Sequence, residues 1–144
     1  MTNPLKFTSV DHITLIVANL EKTRHFYCEL LGMFEVPRPN FDFAGLWLHP
    51  SEPEPGESVR ALIHITHESE LAGRAGWGDQ RVKNISRGHH FAFEVPDAQA
   101  ACEQLRGVGV EIAVEPRPRP DGPIQFYIRD PDGHVIEFFS LPAA

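Results

Sequence analysis

The sequence predicts an α+β fold made of two βαβββ modules, each built around a cupped mixed sheet. The first observation behind this prediction is an internal repeat. The segment that begins VDHITLIV resembles the segment that begins GHHFAFEV, and aligning His12 with His90 also aligns Val17 with Val95. The second observation is the order of patterns: in both copies an apolar run, a helix-capping Asx residue, a helical pattern and several short strand candidates follow one another.

The first module is expected over residues 8–67. Its first strand ends before Asn19, a typical N-cap, and Gly32 follows the helical pattern where a left-handed residue is expected. The remaining strand candidates are Phe34–Val36, Leu46–His49 and Ala61–Thr66, with the acidic, proline-rich loop Pro50–Glu57 before the last of them.

The second module is expected over residues 88–141, with Asp97 as the N-cap and Gly109 after the helix. Its later strand candidates are Val110–Val114, Ile124–Ile128 and His134–Phe139. We expect residues 8–142 to form a single domain in which loop 68–87 joins the two modules. That loop is long and contains three glycines, which favours a role in lining a site.

Composition excludes several classes of protein. The formal net charge is −7 and the isoelectric point is near 5.5, which argues against a general binder of nucleic acid or anionic membranes. No apolar run is long enough to span a bilayer, and no signal-peptide pattern opens the sequence. The two cysteines form no C-x-x-C motif and are expected to be reduced. We therefore expect a cytoplasmic protein.

Four residues stand out because of where the repeat places them. His12 and His90 occupy the same position on the first strand of each module, and His64 and Glu137 lie on the last strand of each. On the predicted concave face they could meet around one divalent ion. Imidazole and carboxylate ligands suit Fe, Ni, Mn, Zn or Co. The alternative is that each histidine is an ordinary core or surface residue.

The segments VDHITLIV, GHHFAFEV and IQFYIRDPDGHVIEFF resemble the vicinal oxygen chelate superfamily. This superfamily includes glyoxalase I, fosfomycin-resistance thiol transferases, extradiol ring-cleaving dioxygenases and bleomycin-binding proteins. The resemblance extends from Val10 to Leu141. It implies the paired βαβββ fold known as the glyoxalase/bleomycin resistance/dioxygenase fold.

The resemblance also implies roles for individual residues. It places metal ligands at His12, His90 and Glu137, and it puts His64, within HITH, where glyoxalase I has a glutamate. Tyr127 falls where several members have a tyrosine that hydrogen-bonds to the substrate or to a metal-bound oxygen. Glu137 and Tyr127 are therefore the candidate catalytic residues.

Three functions remain open from the sequence. We favour a metal-dependent, lactoylglutathione-lyase-like enzyme that acts on a small substrate through two adjacent oxygens. The first alternative is an Fe(II) extradiol dioxygenase or a fosfomycin-type thiol transferase. The second is a metal-free drug-binding protein of the bleomycin resistance type. A homodimer is expected in each case, because one half-sheet is too small to enclose a substrate.

Overall fold

The computed structural model describes residues 5–78 and 85–143, so residues 79–84 of the predicted joining loop lie outside the described residues. It contains two four-stranded mixed sheets, each from one half of the chain. The predicted α+β class with two βαβββ modules is confirmed. Within the described residues, no helix is long and apolar enough to cross a membrane.

The first module contains four strands and one α-helix, and its strands form a sheet with the order β1-β4-β3-β2, in which β1 runs parallel to β4. Its elements are β1 (Ile13–Val17), α1 (Leu20–Arg24), β2 (Phe34–Glu35), β3 (Gly45–His49) and β4 (Ile63–His67). A π-helical turn, His25–Leu30, continues α1 directly. The sequence predicts one uninterrupted α-helix here, because six residues are too few for their apolar spacing to distinguish the two helix types.

The second module repeats this arrangement with the sheet order β5-β8-β7-β6, and β5 runs parallel to β8. Its elements are β5 (His90–Glu94), α2 (Ala98–Gly107), β6 (Ile112–Pro118), β7 (Ile124–Arg129) and β8 (Val135–Ser140). Strand β6 continues four residues beyond its predicted end at Val114, through Pro116 and Pro118. Prolines are tolerated there because β6 is an edge strand, where a missing N–H need not interrupt a ladder.

The helix ends follow the predicted chemistry. The side chains of Asn19 and Asp97 each accept a hydrogen bond from the backbone N–H three residues later, at 2.9 and 3.0 Å. Gly32 and Gly109 have φ angles of +77° and +88°, which only glycine adopts without strain. Both N-cap predictions and both glycine predictions are confirmed.

One hydrophobic core extends through both modules and fixes which sheet face is free. Ile63 and Ile65 of β4 and Ile136 and Phe138 of β8 lie in this core. Since side chains alternate along a strand, the residues between them point away from the core. We call the sheet face opposite this core the free face. On each sheet, it is the face that carries the candidate site residues.

Candidate functional site

His12 and His64 form a close pair on the free face of the first sheet. His12 lies immediately before β1, and the ring centroids of the two histidines are 3.7 Å apart with an angle of 10° between the planes. Trp47, the cross-strand neighbour of His64 on β3, stacks on it at 4.2 Å and 16°. Burial lowers the pKa of His64, and the nearby His12 lowers it further, so its ring favours the neutral, metal-binding form.

The orientation of His12 is fixed by charged neighbours. Its Nδ1 lies 2.7 Å from Oδ2 of Asp11, whose other oxygen accepts a hydrogen bond from Arg60 at 3.0 Å. The hydrogen bond from His12 is the main reason that the pKa of Asp11 is lowered. A proton on Nδ1, shared with the carboxylate, leaves Nε2 of His12 with its lone pair. This is the usual arrangement behind a metal-binding histidine.

His90 and Glu137 form a second pair on the free face of the other sheet. Nε2 of His90 lies 3.3 Å from Oε2 of Glu137. Nδ1 of His90 is 2.9 Å from the carbonyl oxygen of Gly88. Because a carbonyl only accepts, Nδ1 donates to Gly88, and Nε2 is the nitrogen that faces Glu137. The carboxylate is almost fully buried, at 8% side-chain exposure.

Tyr127 lies beside this second pair. It is directly opposite Glu137 in the β7–β8 register, and its ring is 5.6 Å from that of His90, edge to face. Burial raises the pKa of Tyr127, and the charge of Glu137 raises it further. Its hydroxyl therefore remains protonated at neutral pH and can donate to the carboxylate. Ile85, from the segment before β5, packs against Tyr127 and helps to exclude water.

The four predicted metal ligands therefore form two pairs within one chain, His12 with His64 and His90 with Glu137. No three of them have ligand atoms within 4.8 Å of one another. The pairs lie on or beside β1 and β5, which end their sheets and have one hydrogen-bonded neighbour each among the described strands. Each pair is thus located at an open sheet edge.

Among the described residues, the only group of three or more close ligand-type side chains is Asp130, Asp132 and His134, which the sequence analysis did not select. Oδ1 of Asp130 accepts from the backbone N–H groups of Asp132 and His134, and Oδ2 accepts from Tyr27 and from Nδ1 of His134. Asp132 accepts from the backbone N–H of Ala18. Both oxygens of Asp130 are already occupied by protein donors, which argues against a metal ion in this cluster. Since Tyr27 and Ala18 belong to the first module, the cluster instead joins the two modules. The D-P-D-G turn in the sequence was the available signal.

A family model, the Glyoxalase/Bleomycin resistance protein/Dioxygenase superfamily, matches residues 9–138. The chain belongs to this superfamily. A lactoylglutathione lyase from Haemophilus influenzae is 31% identical over 133 residues, covering 88% of each chain.

Two solved structures have a similar fold. One is a glyoxalase family protein from Bacillus anthracis, with a TM-score of 0.67 and 28% identity, covering 99% of this chain and 100% of that one. The other is a mutant of the fosfomycin resistance protein FosX from Listeria monocytogenes, in complex with Mn(II) and 1S,2S-dihydroxypropylphosphonic acid. It has a TM-score of 0.66 and 23% identity and covers 95% of both chains, which supports the shared fold.

The FosX mutant holds Mn(II), and the donor chemistry of this chain is of a kind that fits a divalent ion. In both His12 and His90, Nδ1 faces an oxygen, so Nε2 is the nitrogen that could bind an ion; in His90 this nitrogen lies beside Glu137. Glu137 supplies a buried carboxylate that needs a positive partner. His64 adds a ring with a lowered pKa. This set of nitrogen and oxygen donors suits a first-row divalent metal.

Proposed function

We propose that this protein is a metal-dependent lyase of the glyoxalase type, whose active site forms between two copies of the chain. Its substrate is a thiol adduct of a small oxoaldehyde that presents two adjacent oxygens. The main observation in support is the split of the candidate ligands into two pairs, each at an open sheet edge. The lactoylglutathione lyase relative supports the choice of reaction.

A two-fold dimer that places β1 of one subunit beside β5 of the other would bring the two kinds of pair together. Such an interface uses the same surfaces twice and generates two equivalent sites. The chain before β1 exposes three apolar side chains, Leu5, Phe7 and Val10. Large apolar side chains grouped at one edge are typical of a surface that another subunit covers. We therefore propose a homodimer.

In this proposal the side chains have two roles, binding of the metal ion and transfer of the proton. His12, His64, His90 and Glu137 would hold the ion. Asp11 and the carbonyl of Gly88 orient the rings of His12 and His90 for this role. When bound, the ion supplies Lewis-acid polarisation of the substrate oxygens.

Glu137 is the proposed proton carrier. Its carboxylate takes the proton from the carbon next to the carbonyl and returns it to the neighbouring carbon. Burial keeps water away from this carboxylate, so the proton is transferred within the site. The Tyr127 hydroxyl, on the adjacent strand, positions the carboxylate and stays protonated because its pKa is raised.

The reaction is tested with the metal-stripped protein reloaded with Fe(II), Ni(II), Mn(II), Co(II) or Zn(II). We expect isomerisation of the glutathione hemithioacetal of methylglyoxal with at least one of these ions, and none without metal. The measurement is thioester absorbance, with a catechol as the competing substrate. Ring cleavage of the catechol with Fe(II) alone would identify a dioxygenase and contradict the proposal.

The shared site predicts recovery of activity when two inactive variants are mixed. His12→Ala and Glu137→Gln lie on different halves of the site, so each homodimer should be inactive. After the subunits are exchanged, half of the dimers are mixed, and each has one intact site out of two. We expect recovery of about a quarter of wild-type activity.

The matched control mixes His12→Ala with His64→Ala, which damage the same half. Every site in those mixed dimers carries one damaged first half, so activity should stay at the level of the parents. Equal activity in the two mixtures would show that each site is formed within one chain.

A further inference from the structure

We propose that a pocket beside the His12–His64 pair is a subsite for a flat aromatic group that carries a carboxylate. This inference rests on the proposed function for its place in the active site, where the pocket would favour a thiol adduct whose part remote from the metal is such a group. The pocket has a volume of about 280 Å³ and is lined by Thr14, Arg38, Phe41, Phe43, Trp47 and His64 among others.

The walls of the pocket are aromatic and incompletely covered. Phe41 and Phe43 lie on the loop before β3 with their rings stacked at 5.1 Å, and they are 43% and 47% exposed. Phe41 also contacts Trp47, at 6.2 Å between centroids. Exposed aromatic faces beside the flat Trp47–His64 stack favour a planar ligand, because ring-to-ring contact buries apolar area on both partners.

The aromatic pocket contains one cationic side chain, that of Arg38. The guanidinium carbon of Arg38 lies 4.8 Å from the ring centroids of both Phe41 and Phe43, and its Nη2 donates to the carbonyl of Phe43 at 3.0 Å. Gly45 lies beneath it: a Cβ at that position would be 3.0 Å from Nη2 and 2.2 Å from the carbonyl oxygen of Ile65. The glycine thus leaves room for the guanidinium against the sheet.

Arg38 makes no ion pair with any described residue, whereas Arg24 and Arg106 each bond to glutamate side chains. Its remaining N–H groups can bind an incoming acceptor. A guanidinium presents these donors in a planar fork that matches a carboxylate. The aromatic walls and the fork together select an aromatic carboxylate.

The charges around the pocket exclude a cationic ligand. None of its lining residues is acidic. The carboxylate near His64 belongs to Asp11, which is already bonded to Arg60 and His12. A cation in the pocket would therefore meet the Arg38 guanidinium, and no acidic side chain among the described lining residues would offset that charge.

The test measures binding of 2-naphthoate and its neutral isostere 2-naphthamide to the full-length, metal-stripped protein by calorimetry. We expect naphthoate to bind at least tenfold more tightly than naphthamide. Arg38→Gln should weaken naphthoate at least tenfold and leave naphthamide unchanged. Arg106→Gln, a surface arginine of the other module, is the matched control and should change neither.

Equal binding of the two probes, no binding of either, or naphthoate binding that survives Arg38→Gln would overturn the subsite. The proposed function fails separately. Naphthoate binding without any hemithioacetal turnover would overturn the lyase and leave the subsite, whereas turnover without naphthoate binding would overturn the subsite alone.

Discussion

Replacing Glu137 by glutamine is expected to lower kcat for hemithioacetal isomerisation by about 10²–10⁴-fold, the contribution typical of a positioned general base. The amide has almost the shape of the carboxylate but cannot accept the proton. It is also a weaker metal ligand, because it carries no charge. The measurements are kcat with saturating metal and the metal content of the protein after dialysis.

The fold should survive this substitution. Glutamine retains an oxygen that can accept from Tyr127, and it fills the same space beside His90. Because glutamine and glutamate have nearly the same volume, the substitution creates no cavity in the interior. The circular dichroism spectrum and the midpoint of urea unfolding should therefore stay close to those of the wild type.

Glu94→Gln is the matched control. Glu94 lies at the exposed end of β5, on the same side of the strand as His90. The same chemical change there should alter kcat less than twofold. If Glu137→Gln retained most of the activity, the assignment of this carboxylate as the proton carrier would be wrong.

Replacing Asp130 by alanine is expected to lower the free energy of unfolding by about 3–5 kcal/mol, more than any other substitution proposed for this protein. This buried carboxylate accepts hydrogen bonds from Tyr27 at 2.8 Å, from Nδ1 of His134 at 2.7 Å and from two backbone N–H groups. Alanine leaves all four donors without an acceptor in the protein interior, and each unsatisfied donor carries a desolvation cost.

His134 makes this site particularly sensitive. Its side chain is fully buried, and its Nε2 already has no hydrogen-bond partner among residues 5–78 and 85–143. The ring is held between Asp130 and Trp77, whose ring centroid is 5.0 Å away, edge to face. Without the carboxylate, the buried imidazole would have no polar partner at either nitrogen.

Urea unfolding of three variants separates the contribution of the buried Asp130 network from that of one hydrogen bond and from that of an exposed carboxylate. Tyr27→Phe removes one donor and should cost about 1 kcal/mol. Asp121→Ala removes an exposed carboxylate paired with Arg119 and should leave the free energy of unfolding close to that of the wild type. A loss for Asp130→Ala no larger than that for Asp121→Ala would show that the buried network contributes little.

The sequence was sufficient to predict the fold because its information is local and repeated. The alternating apolar runs, the capping residues Asn19 and Asp97 and the glycines after the helices each specify one element. Their recurrence in the second half identifies a second copy of the same unit. The misplaced boundaries, such as the end of β6, occur at an edge strand, where few contacts define the limit.

The sequence also selected the chemical groups of the site and part of its geometry. Alternation along β4 and β8 placed His64 and Glu137 on the face opposite the core, and the structure has them there. The aromatic pocket lined by Phe41, Phe43 and Trp47 became visible only in the structure.

Only the tertiary structure decided how these groups are distributed in space. A repeat shows that two residues are equivalent, but it does not say whether their sheets face each other within one chain. That depends on how the two modules pack, and here the packing involves contacts such as Tyr27 with Asp130, which are distant in sequence. The same packing leaves His12 and His90 at separate sheet edges. Side-chain patterns record the face on which a residue lies, whereas the distance between faces is determined by long-range packing.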